Sequence, residues 1–217
     1  MLKSEVCVNG LVTRAAVAKT NAEGNSFVTF GLKVDVPSKQ GVSNVLDISV
    51  SRDGADTAGM TTNARVEVKG TLSFKKRGEK MYLNLHADEV NLSPASTTDM
   101  LTGTLSFRGT IGKNVETKND KNGKPYLLFS GYSAERVEES FEYTWVRFVA
   151  FGENSAVKSQ GKIEATGEME LSTYNGKLNI SCRVSEVKEW AKRPYHPQAQ
   201  EQSSAFAEQP DSEACPL

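Results

Sequence analysis

Two halves of this 217-residue chain carry the same spacing of residues. A shift of 99 places Gly10 on Gly109, Lys19 on Lys118, Gly24 on Gly123, Phe27 on Tyr126 and Phe30 on Phe129 without a gap. Towards the end of each copy the shift is 97, and there Val66-Glu67 meets Ile163-Glu164, Gly70 meets Gly167, Lys80 meets Lys177 and Glu89-Val90 meets Glu186-Val187. A match of this length is a duplication, so whatever one copy folds into, the other must fold into as well. Hydrophobic content of 38% is modest for one large core and suits two small, surface-rich units.

Within the first copy the apolar residues recur with period 2, the signature of strands. Residues 5–12 set Val6, Val8, Gly10 and Val12 against Cys7, Asn9 and Leu11; residues 27–36 place Val28, Phe30, Leu32, Val34 and Val36 on one side. Further strands are predicted at 45–51 (Leu46, Ile48 and Val50 inward), 65–74 (Val66, Val68, Gly70, Leu72 and Phe74) and 81–90 (Met81, Leu83, Leu85 and Ala87). Residues 52–63 read as a loop or short helix, and 75–80 as a turn. No helical period competes with the strands. Five strands in so short a unit must curl into a barrel to bury one face. The expected class is all-β: two tandem five-stranded OB-fold barrels and a disordered C-terminal tail, although strand count alone is also compatible with other small barrels. The expected boundaries are 1–92 for the first domain, 93–103 for a linker, 104–190 for the second domain and 191–217 for the tail, which has too few apolar residues to fold.

Charge and special residues exclude several classes. Net charge is -1; from Ala191 onward Lys192 and Arg193 face Glu201, Glu208, Asp211 and Glu213, a local -2 that leaves +1 for the body. Any anion binding must therefore rest on local arrangement rather than on a global field. Three cysteines at unrelated positions (Cys7, Cys182, Cys215) make neither a disulfide framework nor a metal site. His86 and His196 have no partner at ligand or catalytic spacing, and no phosphate-binding glycine motif occurs, so no enzyme, metal or cofactor is expected. Neither a signal peptide nor a span of transmembrane length is visible, and the expected location is the cytoplasm, with no membrane partner.

The stretch 144–152 of the second copy is the one that carries chemistry. Val146, Phe148 and Ala150 point to one side, and Trp145, Arg147, Val149 and Phe151 to the other. Rings offer bases a stacking surface and a guanidinium offers phosphate a counter-charge; the plain alternative is a strand buried on both faces. On the preceding strand Leu127 and Phe129 point inward, which adds Tyr126 and Tyr132 to the outer face unless a loop or partner domain covers them. The run Trp145-Val146-Arg147-Phe148-Val149-Ala150-Phe151-Gly152 resembles the third-strand motif of bacterial-type single-stranded DNA-binding proteins. Residues 107–112 look like that family's opening strand, and 166–174 look like its fourth. The resemblance implies base stacking by Trp145, Phe151 and Tyr174, and a phosphate or base-edge contact by Arg147. It also implies a tail that docks replication or recombination proteins, here through Asp211, Glu213, Pro216 and Leu217, although the chain ends in Leu217 rather than Phe.

Lys113, Lys118, Lys121 and Lys124 fall in the expected loop between the first two strands of this copy, spaced to track a polyanion. The first copy lacks the rings. With Leu46, Ile48 and Val50 set against Val146, Phe148 and Ala150, its outward residues are Val45, Asp47, Ser49 and Ser51, and Asp47 takes the place of Arg147. Lys69, Lys75 and Arg77 on its fourth strand supply positive charge instead. The second copy's fourth strand presents Glu164, Glu168 and Glu170, which would repel phosphate. The expected function is non-enzymatic binding of single-stranded DNA (single-stranded RNA being the alternative polyanion) by a monomer or homodimer. An OB-type adaptor, with its aromatic face and tail turned to protein partners, is the competing expectation.

Overall fold

The computed structural model of the protein describes residues 2–38, 41, 43–137, 139–152 and 154–190, which form ten strands with no helix among them. The first copy supplies β1 (Leu2–Thr20), β2 (Ser26–Val36), β3 (Asn44–Asp53), β4 (Arg65–Arg77) and β5 (Lys80–Asn91). The second supplies β6 (Met100–Asn119), β7 (Pro125–Val137), β8 (Ser140–Phe151), β9 (Lys162–Tyr174) and β10 (Lys177–Glu189). In each copy the strands close in the order one-two-three-five-four-one, with only the three–five pairing parallel. That is the Greek-key barrel of the OB fold, so the all-β chain folds as two tandem OB barrels.

Closure depends on the long first strand of each barrel. β1 pairs with β4 over Lys3–Leu11, shifts register between Val12 and Val17, and pairs with β2 out to Thr20. β6 does the same, leaving β9 at Thr110 and continuing along β7 after an irregularity between Ile111 and Val115. Where the strand turns from one partner to the other, the backbones come too close for a side chain. A Cβ on Gly10 would overlap the Lys33 carbonyl, and one on Gly109 the Tyr132 carbonyl, so these two repeated glycines mark the same corner in both barrels.

Of the two readings of residues 52–63 the structure takes the loop, which plugs the first barrel with Met60, fully buried and with its carbonyl accepting from Ala16 N–H at 2.9 Å. Three expected boundaries differ. The segment 75–80 is not a turn, because β4 runs on to Arg77 and pairs it with Lys80, leaving Gly78 and Glu79 as the turn. The lysine loop of the second copy is largely strand, since Lys113 and Lys118 belong to β6. The expected linker is also shorter: β6 starts at Met100, because it finds a partner in β1.

That pairing joins the barrels. Leu2–Asn9 lies antiparallel to Met100–Phe107, and Glu5 faces Thr104. Those two residues occupy the same position in the repeat, so a pseudo-twofold axis passes between them. The remaining linker is pinned beside it: Asp99 accepts from Arg65 at 2.8 Å and from Asp35 N–H at 2.9 Å, and Asn9 donates to Ser96 O at 3.0 Å. The expected tail, 191–217, lies outside the described residues. Among the described residues no helix is long and apolar enough to cross a membrane.

Candidate nucleic-acid interface

The hairpin of β7 and β8 sets the site. Burial alternates along β8, with Thr144, Val146, Phe148 and Ala150 inward. Phe148 locks the inner face by stacking on Phe129 at 5.0 Å and meeting Phe107 edge-on at 4.8 Å. The opposite parity is thereby forced outward, and Trp145 is 54% and Phe151 39% exposed.

Antiparallel register then sorts the outward residues into rows: Tyr132 beside Trp145, Ser130 beside Arg147, Leu128 beside Val149, and Tyr126 beside Phe151. Tyr132 touches both Trp145 (5.0 Å between centroids) and Tyr143 (5.5 Å), and Tyr126 touches Phe151 at 5.6 Å. Trp145 and Phe151 are six residues apart, about 20 Å at ordinary strand rise. Between the two ring clusters lie Arg147 and, from parallel β10, Ser181 beside it and Arg183 beside Val149. The Arg183 guanidinium sits 5.3 Å and the Lys124 ammonium 5.7 Å from the Phe151 ring. The face thus alternates stacking surface with fixed cation.

Trp145 is also supported from below. A Cβ built on Gly112 of β6 would come within 3.3 Å of the indole, so the absent side chain leaves the ring room to lie against the strand.

The structure brings together Tyr126, Tyr132, Trp145, Arg147, Phe151 and Lys124. It separates the others. Tyr174 stands half exposed at the tip of the β9–β10 hairpin, whose turn residues Asn175 and Gly176 have φ of 50° and 72°. Lys118 is paired with Glu116 at 2.9 Å, and Lys121 lies in a turn closed by Asp120 accepting from Asn122 and Lys124 N–H groups, both at 2.8 Å. Lys113 precedes that arm on β6. Lys69 is tied to Glu89 at 3.0 Å across the β4–β5 ladder, and this hydrogen bond raises its pKa. Lys75 and Arg77 flank the β4–β5 turn. Glu164, expected to repel phosphate, is held by Arg108 and Lys188; these cations lower its pKa, the Arg108 hydrogen bond most. Asp211, Glu213, Pro216 and Leu217 lie outside the described residues.

Sequence reasoning passed over Tyr143, Arg183 and Tyr82. Tyr143 has the same parity as Trp145, two residues upstream. Arg183 follows from the alternation Ile180, Cys182 and Val184, and Tyr82 from its place between the inward Met81 and Leu83.

A groove of about 870 Å³ opens where this face meets the first barrel. Tyr143, Trp145 and Arg147 line one wall, and Asp47, Lys80 and Tyr82 the other. The barrels also clasp each other across it. Lys177 bonds Glu79 at 3.0 Å, Lys76 lies 3.7 Å from Glu142, and Thr173 N–H donates to Pro37 O at 3.1 Å. The Lys177 contact lowers the pKa of Glu79.

The chain is similar in structure to the wild-type single-stranded DNA binding protein from Thermus aquaticus, with a TM-score of 0.46 and 12% identity over 89% of this chain and 96% of that one. It is also similar to the small single-stranded DNA-binding protein from Streptomyces coelicolor, at a TM-score of 0.35 and 18% identity over 44% of this chain and 95% of that one. The N-terminal domain of PriB from Thermoanaerobacter tencongensis gives a TM-score of 0.28 and 22% identity over 42% of this chain and 97% of that one. No family model matches the chain, and no curated protein matches it.

Proposed function

We propose that the protein binds single-stranded DNA with little sequence preference, and acts where such DNA is exposed in replication or recombination. The observation that carries this is the outer face of β7, β8 and β10: two exposed ring clusters, Tyr132–Trp145 and Tyr126–Phe151, with Arg147 and Arg183 between them. Each ring can stack any base, and the guanidinium groups can meet phosphate without reading sequence. With a net charge of -1, phosphate contacts rest on local cations rather than on a global field, so stacking supplies much of the affinity. The resemblance of 145–152 to the third-strand motif supports the same reading.

Titration of the full chain with oligo-dT, followed by tryptophan fluorescence at several salt concentrations, tests it. Quenching through Trp145 and a negative salt slope are expected. Absence of both at micromolar protein would overturn the proposal. In that case the exposed rings become candidates for a protein interface.

A further inference from the structure

The outward row of β8 leads somewhere. From Phe151 it runs through Val149 and Arg147 to Trp145, and its last two members are walls of the groove between the barrels. On the far wall stands Tyr82, 50% exposed, although the outward residues of neighbouring β3 are Val45, Asp47, Ser49, Ser51 and Asp53. Leu83 beside it already fills the core, so barrel packing does not require a ring at Tyr82. Its counterpart in the second barrel is Asn179, which shows that the position tolerates a small polar side chain.

Cations gather on the same path. Lys80 lines the groove next to Tyr82, while Lys76 and Lys177 reach in from opposite barrels. In the unbound protein Lys76 is held by Glu142 and Lys177 by Glu79. These are partly or largely exposed ion pairs, which contribute little and exchange readily, so both ammonium groups are available to an incoming phosphate. Asp47 lies beside Tyr82 and bars the way along β3 for a polyanion. The open course therefore passes over Tyr82 towards Lys80.

We infer that DNA bound on the second barrel continues past Trp145 through the groove and stacks a base on Tyr82 of the first barrel, with Lys76, Lys80 and Lys177 meeting its phosphates. The inference rests on the second barrel's outer face being the primary DNA site. It assigns the first barrel a direct role that its own β3 surface does not supply.

Oligo-dT of two lengths separates the two claims. One oligonucleotide of about 8 nucleotides fits a single OB face, and one of about 30 exceeds it. Tyr82→Ala in the full chain should weaken the long oligonucleotide about fivefold or more while leaving the short one within about twofold, and Tyr82→Phe should restore it, since a stack needs only the ring. Lys76→Gln with Lys177→Gln should flatten the salt slope for the long oligonucleotide only. If Tyr82→Ala changes neither length while Trp145→Ala weakens both, the groove path is wrong and the primary site stands. Equal loss on both lengths also overturns it, because Tyr82 then acts through the fold. If Trp145→Ala changes neither, the primary site itself is wrong.

Discussion

The two barrels share a scaffold and differ in what they show to solvent. Register identifies the equivalent positions: Phe30 faces Val50 as Phe129 faces Phe148, and Lys33 faces Asp47 as Tyr132 faces Trp145. Where the second barrel sets Tyr132 against Trp145, the first has a lysine opposite an aspartate in the strand register. Where the second has Phe151 beside Arg183, the first has Asp53 near His86, 3.9 Å apart. Arg147 corresponds to Ser49. The inside is conserved in volume rather than in identity: Val8, Leu32 and Val50 become Phe107, Gly131 and Phe148. Gly131 makes room for two rings, since a Cβ there would stand 3.1 Å from Phe107 and 3.2 Å from Phe148. Core changes therefore compensate one another, whereas the outer changes at Lys33, Asp47, Ser49 and Asp53 each put a ring or a positive charge on the second barrel's β7–β8 face. Packing requires neither set of outer residues, which separates this surface from the scaffold.

The largest expected effects come from exchanging the compensating core residues one at a time. Leu32→Ala should cost the first barrel about 2–5 kcal/mol, the usual range for a buried leucine that leaves a cavity. Gly131→Leu should cost the second about 1–3 kcal/mol by overpacking Phe107 and Phe148. Denaturant unfolding of each variant measures both, and a neutral Gly131→Leu would show that the cores are not the volume-matched pair described.

Next in size are changes to the outer face. Trp145→Ala should weaken oligo-dT binding by about 1–3 kcal/mol, or about 5- to 150-fold. The converse graft is more demanding: Lys33→Tyr with Asp47→Trp installs the missing ring pair on the first barrel. If the pair is what distinguishes the barrels, long oligonucleotides should bind tighter by up to the same amount, while melting temperature stays close to that of the parent. No gain in affinity would mean that a ring pair alone does not make a site.

How much of this comparison the sequence could reveal depends on which constraint leaves a trace. The duplicated glycines were legible because no other residue fits where Gly10 and Gly109 pass a neighbouring carbonyl. Strand number and inward residues were legible because burial imposes period 2. Alignment of the third strands was not. Setting Ile48 on Phe148 is a shift of 100, whereas the pairing partners show Ile48 on Val146, a shift of 98. Both shifts are even, so both keep the same side chains inward, and hydrophobic pattern alone cannot choose between them. The consequence is a correction: Asp47 stands in the place of Trp145, not of Arg147. The lysine arms of β6 were misread as loop because an exposed hairpin has no buried face to set a period. The groove and its clasps depend on how β1 and β6 pair across the dyad, and no local signal encodes that.

A smaller change probes how Trp145 is held. Gly112→Ala would place a methyl 3.2 Å from the Ser130 carbonyl oxygen and 3.3 Å from the indole, close enough to tilt the ring by a few tenths of an ångström. Binding of oligo-dT should weaken about two- to fivefold, less than the loss of a whole stack. Loss as large as that of Trp145→Ala would mean that ring orientation, rather than ring presence, governs affinity. The equivalent position in the first barrel is Thr13, where Asp47 takes the place of the indole, and Thr13→Ala should leave binding unchanged.

The smallest effect concerns the clasp between the barrels. Lys177 lowers the pKa of Glu79, chiefly through their hydrogen bond. A carboxylate whose folded-state pKa lies below its unfolded value stabilises the fold above that unfolded value and loses the contribution as pH falls through the lowered pKa. The clasp should therefore be intact at neutral pH and open only below the ordinary carboxylate range. Both partners are exposed, so the change in stability should be barely detectable by melting, and the side-chain titration of Glu79 by NMR is the sharper measurement. In Lys177→Gln the Glu79 midpoint should rise towards that of a free glutamate. Bound oligo-dT should do the same in the parent protein if phosphate takes Lys177 from its carboxylate, whereas a midpoint unmoved by DNA would leave the clasp closed over an empty groove.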